Sequence, residues 1–170
     1  MKNLIFLLVV IGLSSCVTPQ SLHLVNIYQD KPFVIYSEKS KDEVWSKVID
    51  IFAQKGLAIN VIDKSSGLIG SNEYSFGNSM TYEMENGMPN DTTAWVIVNK
   101  YTSTLGNIIL PNTIKGSFNV RVKEEGNKTA ININLVNLTA WYLHPSGSLQ
   151  IPYEIKSTGK FEQSISDLLK

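Results

Sequence analysis

The sequence predicts an α+β domain: an antiparallel β-sheet with a long N-terminal helix and a short C-terminal helix packed on one face, in the order β-α-β(n)-α. Three observations predict it. Residues 40–56 hold helical periodicity between a capping signal and a glycine stop. Residues 116–135 alternate apolar and polar side chains about the turn Glu125-Gly126-Asn127, as a half-buried hairpin does. The chain closes on a second amphipathic stretch, with Phe161, Ile165, Leu168 and Leu169 on one face. The 170 residues carry 15 Lys+Arg against 15 Asp+Glu, with 43% hydrophobic residues. That balance suits a globular core and gives no charge excess to track a nucleic acid. The single cysteine, Cys16, excludes an intrachain disulfide.

At the start, Lys2 precedes an apolar run over 4–13, and Ser14 and Ser15 lead to Cys16. A positive start, a short apolar stretch and small residues before a cleavage point predict a secretory signal over 1–15. The run falls short of the roughly twenty residues a membrane-spanning helix needs. Leu13-Ser14-Ser15-Cys16 resembles the lipobox of bacterial lipoproteins. In that family the cysteine receives diacylglycerol, the leader is cut before it, and the new N-terminus is acylated. The alternative is a buried cysteine near an ordinary cleavage site. The resemblance implies a lipid-anchored envelope protein whose membrane contact is Cys16. Each buried acyl methylene adds about 0.8 kcal/mol, so more than one chain makes the anchoring stable. Val17 stands where enteric lipoproteins of the inner membrane carry aspartate, which by resemblance implies the outer membrane. Residues 16–31 are then the lipidated N-terminus and tether, ordered in part around Leu22, Leu24 and Ile27, and 32–170 form the domain.

Residues 33–36 predict a short edge strand entering after Pro32. Ser40 and Glu43 form a capping box, and Val44, Trp45, Val48, Ile49, Ile51 and Phe52 make one broad apolar face that ends at Gly56. Residues 57–63 read as a strand that Lys64-Ser65-Ser66-Gly67 turns into a return strand from Leu68. The stretch 76–91 reads as a long irregular connection in which Met80, Met84 and Met88 recur every four residues. Those methionines either cap the open edge of the core or form an adaptable contact for a protein partner. A soft Cu(I) site lacks the His or Cys to support it. Asp91-Thr92-Thr93 resembles a short bacterial O-glycosylation acceptor and reads equally as a turn.

Residues 94–99, apolar on both alternations, predict a central strand, and 102–112 a second connection. Phe118, Val120 and Val122 face the core opposite Ile131, Ile133 and Leu135. The apolar phase then passes to Val136, Leu138 and Ala140, which predicts a bulge near Leu135. Trp141, Tyr142 and Leu143 read as an aromatic flap that seals one end of the core or, if exposed, binds a partner. Residues 149–155 predict a further short strand broken at Pro152.

Catalytic groupings are sparse. His23 and His144 stand outside any metal or triad motif, no phosphate-cradling glycine loop occurs, and Asp63 and Glu73 read as solvated turn residues.

The element order, with Ser40-Lys41-Asp42-Glu43-Val44-Trp45 and Asp63-Lys64-Ser65-Ser66-Gly67-Leu68-Ile69-Gly70, resembles TBP-like and helix-grip lipoprotein domains. These include BamC-like subunits of the outer-membrane β-barrel assembly machine and a set of uncharacterised TBP-like lipoproteins. The motif positions are structural in those groups, so the resemblance implies a fold and an envelope setting but no catalytic residue, metal or cofactor. The expectation is a non-enzymatic envelope lipoprotein that binds a protein partner or assists an assembly. The alternative is a periplasmic carrier or sensor of a small apolar ligand held between the helices and the sheet.

Overall fold

The computed structural model describes residues 19–26, 28 and 32–169. The leader and Cys16 lie outside them. Along the described residues run β1 (Gln20–Leu22), β2 (Phe33–Ser37), α1 (Lys41–Gln54), β3 (Ile59–Asp63), β4 (Leu68–Ser71), β5 (Tyr74–Ser75), β6 (Met80–Tyr82), β7 (Val96–Val98), β8 (Lys100–Thr102), β9 (Ile108–Ile109), β10 (Thr113–Glu125), β11 (Lys128–Leu143), β12 (Gln150–Pro152), β13 (Ile155–Ser157) and α2 (Lys160–Leu169). The class is α+β, with mostly antiparallel sheets and two helices.

Helix α1 begins where its sequence says it should. The Glu43 amide donates to Ser40 Oγ at 3.4 Å, and the Ser40 amide donates to Glu43 Oε2 at 3.0 Å. That reciprocal pair satisfies two donors that the first turn would otherwise leave open. Beyond the cap residue Lys55, Gly56 takes φ +66°, the left-handed conformation that closes a helix. Val44, Trp45, Val48, Ile51 and Phe52 are buried against β4, β10 and β11. The hairpin β3–β4 then turns through Gly67, whose φ is +73° and whose carbonyl accepts the Val122 amide at 2.8 Å. A Cβ on Gly67 would overlap the Val122 carbonyl oxygen, so the turn sits directly on β10.

The long hairpin β10–β11 is the spine. β4 pairs with β10 and carries β3 at the sheet edge, while β5 pairs with the start of β10. On the other side β11 pairs first with β2 and then with β12. Ile133 stands opposite Val120, and Ala140 opposite Ile114. Between them β11 holds one extra residue, marked by Asn137 at φ 53°. This is the expected bulge, two residues beyond Leu135. It is required because inward side chains sit at odd positions up to Leu135 and at even ones from Leu138 onward. Val136 is a correction: it pairs with Ser117 on the outer face.

Two apolar clusters result. Under the helices, Phe52 and Phe118 meet edge to face at 4.8 Å, with Phe161 tilted against Phe118 at 5.5 Å. The second cluster gathers Phe76, Val96, Val98, Ile114, Ile151 and Tyr153, and two small sheets close it. One is β13-β7-β6, where β6 runs parallel to β7; the other is β1-β8-β9. Thus 94–99 is central, but in a small mixed sheet of its own. The segments 96–102 and 150–157 each cross from one sheet to another, at Asn99 and Glu154. There the Asn99 amide donates to the Glu154 carbonyl (3.1 Å), and the Glu154 amide donates to Asn99 Oδ1 (2.9 Å).

Several expectations change. The stretch 76–91 is not irregular throughout: it contains β6 and the bridge Glu83–Pro89. Residues 102–112 hold the last residue of β8, the turn and β9 of a β8–β9 hairpin. Trp141, Tyr142 and Leu143 are no loop flap but the last residues of β11, in register with β12. On α2 the buried face is Phe161, Glu162, Ile165, Ser166 and Leu169, while Leu168 is exposed. Glu162 is the unexpected member. Its carboxylate accepts from Ser157 Oγ at 2.9 Å on both oxygens, and Oε1 also accepts the Leu135 amide at 3.2 Å.

Trp45→Ala and Phe52→Ala are each expected to cost about 3–5 kcal/mol, since both rings are core. Lys47→Ala on the half-exposed side should stay within roughly 1 kcal/mol, and urea titrations of the three variants test the ordering. Burial pushes the Glu162 carboxyl up from its ordinary value, against the opposing pull of its hydrogen bonds. A raised folded-state value means the folded state holds the proton longer, so stability from this group is full below the unfolded value and falls as pH rises through the folded one. Glu162→Gln, which retains an acceptor, should therefore gain on the wild type in urea midpoint from acidic to neutral pH. A difference that stays flat across that range would contradict it.

Candidate functional site

The residues expected at a partner surface do not come together. Met80 opens β6 and packs into the second cluster. Met84 is half-buried at the β1 side, and Met88 is exposed, their two residues linked by the Met84 amide donating to the Met88 carbonyl at 2.8 Å. Strand formation at Met80 breaks the helical spacing that suggested one stripe. Of the aromatic trio, Tyr142 packs on the second cluster, Trp141 is half-buried and only Leu143 is exposed. Cys16 lies outside the described residues. Asp91 forms the expected turn, its Oδ1 accepting from the Thr93 amide (2.8 Å) and hydroxyl (2.7 Å), which hold its carboxyl below the ordinary value. Asp63 does the same at the β3–β4 turn: hydrogen bonds from Ser65 and Ser66 lower its pKa to about 2. Among the described residues no group of three His, Cys, Asp or Glu could hold a metal, and no helix is long and apolar enough to cross a membrane.

A cluster that the sequence reading missed forms where the N-terminal segment docks. β1 pairs with β8, Gln20 opposite Thr102 and Leu22 opposite Lys100. Residues 20–26 and 28, expected to run as a tether, are held down by two carboxylates. Buried Glu83 accepts the Val25 amide (2.6 Å), the Asn26 amide (3.0 Å) and the Tyr28 hydroxyl (2.8 Å). Glu154 accepts the Leu24 amide at 3.3 Å and contacts His23 Nδ1. The His23 contact holds the Glu154 carboxyl below its ordinary value, while burial, with Glu83 beside it, raises the Tyr28 hydroxyl to about 12. Asn26 Nδ2 donates to the Gly87 carbonyl, and Asn99 Nδ2 to Ser21 Oγ at 2.9 Å. Glu83 and Glu154 carried no motif. No local signal marked Glu83, which falls with Thr81 and Glu85 on the polar side of the alternation Met80, Tyr82, Met84 and yet is buried.

Two features around this framework can engage other molecules. A cleft of about 370 Å³ opens beside β1, lined by Leu22, Val25, Glu83, Met84, Glu85 and Lys100. At the other end of the main sheet, β3 is the terminal strand and pairs only with β4 among the described residues. Its Val61 stands opposite Gly70 and its Ile62 opposite the buried Ile69, so they lie on opposite faces of the sheet. They are nevertheless 44% and 57% exposed. Asp63, at the turn end, is the one charge on β3, so its middle is apolar on both faces, a feature by which an edge strand can template another strand.

Compared with known proteins, the chain matches no family model, and no curated protein is significantly similar to it.

Glu83→Ala should leave the Val25 and Asn26 amides without their acceptor and weaken docking of the segment by about 1–3 kcal/mol. Limited proteolysis should then cut within residues 19–32 several-fold faster, with amide exchange in β3 and β4 unchanged. An unaltered cleavage rate would show that Glu83 does not hold the segment.

Proposed function

We propose that the chain is a lipid-anchored protein of the bacterial envelope, acylated at Cys16 and acting without catalysis by binding a protein partner. The observation that carries the partner half of this reading is the β3 edge, where Val61 and Ile62 offer apolar contacts on both faces of a strand that has no outer neighbour among the described residues. The occupant that fits is an extended peptide segment of the partner. Main-chain hydrogen bonds to β3 would give affinity, and side chains alternating over Val61 and Ile62 would give specificity. The anchoring half rests on Lys2, the apolar run and Leu13-Ser14-Ser15-Cys16. The order strand, helix, antiparallel strands, helix supports a TBP-like or helix-grip affinity, and outer-membrane sorting follows the residue after the cysteine, Val17.

A second reading, a carrier of a small apolar ligand, draws support from the cleft beside β1, whose volume is in the range of ligand sites. The space between the helices and the sheet, where such a ligand was expected, is filled by Phe52, Phe118 and Phe161. Displacement of an apolar fluorescent probe from the wild type, but not from Met84→Asp, would favour the carrier.

The primary test is made in the native envelope. Mass spectrometry of the mature protein should find an acylated N-terminal peptide beginning at Cys16; an unmodified start elsewhere sinks the anchor. A photocrosslinker at Asn60 should give one adduct of defined mass, and Ile62→Lys should abolish it. An adduct that survives Ile62→Lys, or none at all, sinks the β3 edge as the partner site.

A further inference from the structure

The β8–β9 hairpin stands apart from the rest of the surface. Its turn is well made: the Ser103 amide donates to the Asn107 carbonyl at 2.9 Å, the Gly106 amide to the Ser103 carbonyl at 2.9 Å, and the Asn107 amide to Ser103 Oγ at 3.1 Å. Yet its apex is Leu105, 86% exposed, followed by exposed Ile108 and Leu110. No charged residue occurs between Lys100 and Lys115, in a chain of which 18% is charged. A rigid, uncharged loop that holds a leucine out from the protein has no core reason to do so.

The hairpin's neighbour says what covers it. β1 runs antiparallel to β8 with Gln20 opposite Thr102, so the chain toward Cys16 leaves at the hairpin tip. Gln20 and residues Ser103, Thr104 and Gly106 line one shared cleft. Only four peptide units separate Cys16 from Gln20, a span of at most about 14 Å. An acyl group on Cys16 would therefore enter a bilayer within that reach of Gln20, on the side of the domain that carries the hairpin tip.

We propose that the β8–β9 hairpin is a second membrane contact, with Leu105 set into the interface of the same bilayer that holds the acylated Cys16. This rests on the anchor reading above. The hydroxyl and amide side chains of Thr102, Ser103, Thr104 and Asn107 suit the headgroup layer, and Leu105 the acyl boundary beneath it. With no cation between Thr102 and Ile109, where the hairpin would meet lipid, a neutral lipid surface suffices and added salt does not release it.

The test uses the mature, acylated protein in phosphatidylcholine vesicles. With the Cys16 thiol occupied by lipid, Leu105→Cys supplies a unique site for an environment-sensitive fluorophore. Lys64→Cys, in the turn packed on Val122 toward the far end of β10, is the control. The label at 105 should shift to the blue and be quenched several-fold by lipids spin-labelled near the headgroup, at low and high salt alike, while the label at 64 stays aqueous. Flotation and mass spectrometry of the same preparation separate the two ideas. If the protein is acylated and floats but the label at 105 remains aqueous, the hairpin contact is wrong and the anchor stands. If Cys16 is unmodified and the protein does not float, both fail.

Discussion

The carboxylate of Glu162 is the point on which the two halves of the domain meet. From the first turn of α2 it accepts from Ser157 at the end of β13 and from the Leu135 amide of β11. That amide lies in the stretch of β11 between the residues that pair with β2 and those that pair with β12, where no strand of the outer side supplies an acceptor among the described residues. A buried amide left open would cost about 1–3 kcal/mol, and the bulge that follows at Asn137 leaves little backbone to close it. One side chain answers that need, and in doing so fixes the helix to both sheets. Leu135 and Trp95 border both apolar clusters, so packing and hydrogen bonding converge on the same few residues.

The second cluster depends on a related device. Strand segments 96–102 and 150–157 leave one sheet for another at the same level, and every such corner exposes backbone groups that a continuous ladder would have paired. Asn99 and Glu154 close that corner between them, main chain to main chain and main chain to side chain. Their remaining polar atoms then reach outward: Asn99 to Ser21, and the Glu154 carboxylate to the Leu24 amide and His23. The corner that stabilises the core is thereby also the seat of the N-terminal segment, with Glu83 as its second hold.

Which parts were legible in the sequence follows from the range of the forces involved. Ser40, Glu43 and Gly56 act within one helix, and the Phe118 and Ile131 alternations act within one hairpin, so periodicity and capping find them. The slip of phase after Leu135 gave the bulge to within two residues, because side-chain direction has period two. Met80, Met84 and Met88 lie apart because four-residue spacing gathers side chains only in a helix, and a parallel pairing with β7 drew Met80 into a strand. Leu168 misled because helical phase does not say how far α1 and the sheet extend over α2. Glu83, Asn99, Glu154 and Glu162 bond across 58, 78, 130 and 27 residues. Nothing local distinguishes buried Glu83, Asn99 and Glu162, or exposed Glu154, from ordinary solvated residues, and the candidate site is built on Glu83, Asn99 and Glu154.

Placement of the free edge follows from the same framework. β10 is 13 residues long, which at about 3.3 Å per residue makes roughly 40 Å of spine. The β8–β9 hairpin and the exit toward Cys16 lie near its start, since only Leu110, Pro111 and Asn112 separate β9 from Thr113. β3 ends beside Leu68, which pairs with Arg121, eight residues further along β10 and hence about 26 Å away. A lipid on a long free tether would let the domain present any side to the membrane. Docking of β1 removes that freedom, since Glu83 and Glu154 hold the segment and only the few residues before Gln20 remain to turn. With Cys16 acylated as proposed, the β8–β9 end faces lipid and the open edge of β3 stays clear of it. One short strand and two carboxylates would then decide which side of the domain faces away from the membrane.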